Sequence, residues 1–152
     1  MSLLGARLIA NFSAGRPNAL IGGHAESARD LAALAQVYRD PRFETFRVAY
    51  LSGNKIVGEI GYTSRLPGAV IPPQDLDAKI AQGMAKFEAD GFYILHNHPS
   101  GKAQPSPHDE RLTVDMAAFV SGFRGHVVID HNEYAVIDRE GRSTVIQDDT
   151  LN

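Results

Sequence analysis

Apolar residues recur along this chain at two periods, near 3.6 and near 2, and the switches between them lay out its elements. Over 27–38, Leu31, Leu34, Ala35 and Tyr38 stand at helical spacing, and Asp40-Pro41 ends the segment. Residues 43–51 are rich in β-branched and aromatic side chains. Ser52-Gly53-Asn54 turns the chain and 55–63 returns, which predicts a hairpin. A second helix is predicted over 74–90, with Leu76, Ile80, Met84 and Phe87 on one stripe and Gly91 as its stop. Phe92-Tyr93-Ile94-Leu95 is wholly apolar, the pattern of a central strand covered on both faces. After a loop with Gly101 and Pro105, a third helix is predicted over 107–123, carrying Leu112, Met116, Phe119, Val120 and Phe123. Strands over 126–129 and 134–138 flank the turn Asp130-His131-Asn132, and a last strand, 144–147, follows Gly141. The fold class is therefore α/β (α+β), one domain with a mixed sheet between helices. Residues 13–24 are rich in turn formers and read as a loop; 6–12 reads as a short strand or as the remnant of an upstream segment.

Composition narrows the function classes. A chain of 152 residues suits one domain with a real core, and 43% hydrophobic with 22% charged residues is ordinary for a globular protein. The net charge of -3 argues against binding nucleic acid through a general positive field. With no cysteine there is neither a disulfide scaffold nor thiolate chemistry. No apolar run reaches the length of a membrane span, and the first residues lack the pattern of a signal peptide; a cytoplasmic protein with no membrane partner is the expectation.

Chemistry concentrates at the end of the apolar strand. His96 and His98, two apart on an extended segment, project to the same side and can share one metal ion, and Asp109 can close a third corner if the chain loops back. Two nitrogens and one oxygen with a fourth position open describe a catalytic zinc site. The plain alternative for each His is a polar surface residue. Ser106 and Asp109 also read as a capping box at the start of the third helix, with Pro107 at its first position, and this is compatible with a metal role for Asp109. Glu59 interrupts an apolar strand, either as a solvent-facing residue of an edge strand or as a carboxylate near a metal-activated water. Glu44 reads as structural, His108 and His131 as surface turn residues, and His24 and His126 have no partner pattern.

These residues resemble a known family. His96-x-His98, seven residues, then Ser106-x-x-Asp109, with a strand-borne Glu59 upstream, resembles the signature of JAB/MPN (JAMM) metalloproteases. The string His-Asn-His-Pro-Ser-Gly is most similar to the RadC-like branch. The resemblance covers 25–147, including an acid before the first strand (Glu44), and leaves 1–24 as a segment of unknown role and 148–152 as a tail. It implies an MPN/JAB-like fold, layered as in cytidine deaminases, with Zn2+ held by His96, His98 and Asp109. It implies Glu59 as general base and then acid, and Ser106 as donor to the oxyanion. Asn97 and Ser100 then shape the loop, and Gly101 allows a tight turn near the metal. The implied partner is a peptide or protein carrying an amide or isopeptide bond. Two other classes remain: a non-catalytic or DNA-metabolism-associated binding module, one domain of a larger phage or plasmid protein, and a metal-dependent nuclease. The nuclease reading lacks the extra carboxylates and basic track such sites carry.

Overall fold

The computed structural model describes residues 19–39, 44–62, 75–98 and 102–151. The strand expected over 6–12, the Asp40-Pro41 stop, and Pro99, Ser100 and Gly101 lie outside these residues. In chain order the elements are α1 (Ala28–Leu34), a 3-10 turn (Ala35–Tyr38), β1 (Phe46–Ser52), β2 (Lys55–Tyr62), α2 (Leu76–Lys86), β3 (Gly91–Asn97), α3 (Pro107–Phe119), β4 (Phe123–Ile129), β5 (Glu133–Ile137) and β6 (Ser143–Gln147). This is the order the periodicity predicts. Among the described residues no helix is long and apolar enough to cross a membrane.

Three boundaries differ from the sequence expectation, each for a local reason. The first helix tightens to 3-10 after Leu34. The second ends at Lys86 and leaves through Glu88 in the left-handed region (φ 53), so Gly91 is not its stop but the first residue of β3. The third ends at Phe119, because Val120 is already extended and Gly122 turns the chain at φ 101 into β4. The consequence for function lies in β3, which runs past Leu95 so that His96 and Asn97 belong to the strand itself.

The six strands form one sheet in the order β2-β1-β3-β4-β5-β6. Only β3 and β4 are parallel, and α3 is the crossover that parallel pairing requires. Side-chain alternation then divides the sheet into two faces. Phe46, Val48 and Tyr50 lie opposite His96, Ile94 and Phe92, and this face packs on Leu76 and Ile80 of α2 and Met116 of α3. Ala49, Tyr93, Leu95 and Val127 occupy the other face, against Leu31, Ala35 and Tyr38. The segment before α1 covers the start of β2, where the Gly22 amide donates to the Ile56 carbonyl and the Ile56 amide donates to the Gly23 carbonyl, at 2.9 Å each. That pairing blunts part of an edge open to association.

Gly83 of α2 sits over the buried Tyr50 ring. A Cβ built there would overlap Cζ and the hydroxyl oxygen of Tyr50. Replacing a mid-helix glycine by alanine gains about 0.5–1 kcal/mol of backbone propensity, but overpacking costs about 1–3 kcal/mol. Gly83→Ala is therefore expected to lower the melting temperature, and a variant at least as stable as the parent would show that Tyr50 and α2 part without cost.

Candidate metal centre

The site is assembled from three pieces of backbone whose geometry is set independently. The first is the end of β3. His96 is 3% exposed, on the face shared with Phe46 and Ile94. His98 follows two residues later, its backbone amide donating to the carbonyl of Ile129 at 3.0 Å, so both rings project to the same side. The second is the N-terminus of α3, where Ser106 is the N-cap and the capping box is complete. Ser106 Oγ accepts from the Asp109 amide at 3.1 Å, and Asp109 Oδ2 accepts from the Ser106 amide at 2.9 Å. The third is the approach to β1. Asn97 Oδ1 accepts from both the amide (2.7 Å) and the hydroxyl (2.8 Å) of Thr45, which pins the residue after Glu44. Phe46 pairs with His96, and continuing that antiparallel register by two residues brings Glu44 opposite His98.

These pieces converge on one point. His96 Nε2 and His98 Nε2 are 2.9 Å apart, and Asp109 Oδ2 lies 3.4 Å from the first and 3.6 Å from the second. Glu44 Oε1 is 3.5 Å from His98 Nε2, and ligand atoms of Glu44, His96 and His98 all lie within 4.8 Å of one another. A tetrahedral ion with bonds of 2.0–2.2 Å holds its ligand atoms about 3.3–3.6 Å apart; the two edges to Asp109, 3.4 and 3.6 Å, match that spacing, and the His–His edge is shorter at 2.9 Å. One oxygen of Asp109 completes the cap and faces the two rings: Oδ2 takes the Ser106 amide and stands beside His96 and His98 Nε2.

The electrostatics are those of a carboxylate held between two imidazoles and a helix N-terminus. Burial disfavours the charged form of Asp109, but the adjoining His96 and His98 rings and the Ser106 amide outweigh it and hold the carboxyl well below the usual range. Burial also disfavours the His98 imidazolium, but the Asp109 contact and the charges of Glu44 and Asp109 outweigh that and raise its pKa. His98 Nδ1 donates to the Lys102 carbonyl at 3.2 Å, which keeps Nε2 turned toward the cluster.

Glu59 is elsewhere. It pairs with Ala49, so it lies on the face opposite His96. There it is buried with its own partners. Oε2 accepts from Arg47 at 3.4 Å, Oε1 accepts from the Leu20 amide at 3.3 Å, and Tyr38, whose ring the Arg47 guanidinium stacks on at 3.5 Å, donates to it. Neither expectation for Glu59 describes this. It is not solvent-facing, and a sheet separates it from the His pair. Glu44, read as structural from sequence, is the carboxylate that stands beside His98. His126 was also missed. It is fully buried on β4, and its Nε2 is 2.7 Å from His96 Nδ1. The available signal was an ionisable residue directly before the apolar run Val127-Val128-Ile129, where burial requires a partner. Ser100 and Gly101 fall outside the described residues, and Asn97 acts from within the strand and not as a loop residue.

A profile of the RadC-like JAB domain matches residues 25–141. The chain belongs to the RadC-like JAB domain family. Among its relatives, a UPF0758 protein of Photobacterium profundum is 34% identical over 82 residues, 53% of this chain and 35% of that protein. A UPF0758 protein of Vibrio parahaemolyticus is 30% identical over 106 residues, 66% of this chain and 46% of that one. The chain thus spans less than half the length of these curated relatives. The His96–His98 pair, Ser106 and Asp109 all lie inside the matched RadC-like region.

Removing one member of a buried ion pair strands the other, at about 3–5 kcal/mol. Arg47 and Glu59 side chains are 4% and 1% exposed. Glu59→Ala is expected to lose stability in that range in denaturant unfolding, while Glu44→Ala loses much less. The reverse ranking would mean that the Glu59 cluster contributes little to the fold.

Proposed function

We propose that this RadC-like JAB domain is a zinc-dependent hydrolase of amide or isopeptide bonds in a peptide or protein substrate. The observation that carries the reading is the triangle of His96 Nε2, His98 Nε2 and Asp109 Oδ2, with edges of 2.9, 3.4 and 3.6 Å. Three such ligands with a further position open are the donor set of catalytic zinc, whereas structural zinc is closed by four protein ligands, commonly with cysteine, of which this chain has none. His96, His98 and Asp109 hold the ion. Zinc, when bound there, supplies the acidity that makes water a nucleophile at neutral pH and polarises the scissile carbonyl.

The remaining steps belong to the chain's own side chains. Glu44 takes the proton from the attacking water and delivers it to the leaving amine, as general base and then acid. Its half-buried carboxylate, on the same side of the sheet as the His pair and 3.5 Å from His98 Nε2, supports that assignment over Glu59 on the opposite face. Ser106 Oγ accepts from the Asp109 amide, and its own proton is free of the capping box to meet the carbonyl oxygen as negative charge builds there. One such donor is worth roughly 3 kcal/mol of transition-state stabilisation. The capping box orients Asp109 before any ion arrives, so the ligand set is preorganised by helix formation.

Zinc-loaded protein should cleave members of a peptide and isopeptide library. Glu44→Gln is expected to keep its zinc and lose turnover by at least ~10²-fold. Near-normal turnover in that variant would remove Glu44 from the reaction. The two cap residues should separate in the same assays. Asp109→Asn is expected to lower zinc affinity sharply, because a neutral amide replaces an anionic ligand. Ser106→Ala should retain zinc, lose about 0.5–2 kcal/mol of stability with the cap and lose turnover by about 10²–10³-fold. If both variants bind zinc as the parent does, Asp109 is a cap and not a ligand.

A further inference from the structure

Behind His96, away from the cluster, runs a short chain of hydrogen bonds that no step above uses. Thr113 Oγ1, one turn after Asp109 on α3, is 2.7 Å from the Asp109 carbonyl and 2.7 Å from His126 Nδ1. His126 Nε2 is 2.7 Å from His96 Nδ1. Thr113 and His126 are both fully buried, with Phe46 edge-on to the His126 ring.

The proton on each atom follows from what each atom can do. A carbonyl only accepts, so the single hydroxyl proton of Thr113 goes to the Asp109 oxygen. Thr113 Oγ1 must then be the acceptor toward His126, and His126 Nδ1 carries its proton. His126 is fully buried, with Phe46 edge-on to its ring and its two nitrogens met by Thr113 and His96, and a ring so removed from water is neutral. A neutral ring protonated at Nδ1 is bare at Nε2, so His96 Nδ1–H is the donor to it. His96 Nε2 is then the nitrogen turned toward His98 and Asp109, and in the neutral ring it carries the lone pair.

We infer that Thr113 and His126 are positioning residues that lock His96 in the tautomer whose Nε2 lone pair faces the Asp109–His98 cluster. The inference rests on the metal reading above for its purpose, but the tautomer is a property of the metal-free chain. The direction of the relay starts at the helix: the Asp109 carbonyl that anchors it belongs to the residue whose carboxylate completes the triangle. Folding of the first two turns of α3 thus sets both the Asp109 carboxylate and the protonation of the ring beside it. Partners of this kind fix ligand orientation and basicity in other metal sites.

The test is long-range nitrogen–proton NMR on metal-free protein labelled at histidine, joined to zinc affinity by chelator competition. His96 and His126 should both carry their protons on Nδ1. Thr113→Val, which keeps the shape and removes the hydroxyl, should release His126 from that tautomer and weaken zinc binding by about 10–100-fold. Thr113→Ser should restore both the tautomer and the affinity, which a purely packing role for Thr113 would not require. His96 protonated at Nε2 in the parent protein, or unchanged tautomers and zinc affinity in Thr113→Val, would overturn the relay. A parent protein with both rings protonated at Nδ1 but no uptake of zinc would support the relay and overturn the metal reading instead.

Discussion

The structure depends on a buried imidazole in its central strand. His96 sits at 3% exposure between β1 and β4, where an unpartnered polar ring costs several kcal/mol. Each ring nitrogen therefore needs a partner, and the two sides of the site answer that need. His126 and Thr113 meet Nδ1 from behind; His98 and Asp109 meet Nε2 from the front. The parallel pairing of β3 with β4 sets His126 opposite Ile94, one step along the same face, which is what allows ring-to-ring contact. That pairing needs the α3 crossover, and the same helix brings Asp109 and Thr113. The topology and the polar chemistry are thus one requirement.

The capping box shows how stability and function are coupled here. A helix must satisfy its first amides, and Ser106 and Asp109 do so reciprocally. Here the N3 carboxylate is also held against two imidazoles, so the feature that starts the helix aims an acid at the histidine pair. The negative charge is further favoured by the helix N-terminus.

The two glutamates illustrate the opposite case, in which similar residues are separated by the sheet. Glu59 is committed to Arg47, Tyr38 and the Leu20 amide, a buried network that ties the segment before α1 to the first two strands. Such a network adds little net stability relative to apolar packing, but breaking one member is expensive. Glu44 stands at the mouth of the cluster, where the Asn97–Thr45 clasp joins its backbone to the residue between the two site histidines.

Periodicity by itself determined the element order, the apolar central strand and the fact that His96 and His98 share one side, because side-chain direction in regular structure follows from counting. The local spacing of Ser106 and Asp109 determined the capping box, since its partners are three residues apart. What counting along the chain could not supply was the register between strands. Leu51 pairs with Ile56 beside the Ser52-Gly53-Asn54 turn, and an unbroken ladder would continue Tyr50 with Val57 and Val48 with Glu59, placing Glu59 on the His96 face. A bulge between Tyr50 and Leu51 inserts one residue, so Glu59 pairs with Ala49 instead and turns to the other side. The pairing of β1 with β3 put Glu44 in reach of His98, and the pairing of β3 with β4 put His126 behind His96. Both contacts span tens of residues of chain, and only the assembled sheet brings them within hydrogen-bonding or ion-pair distance.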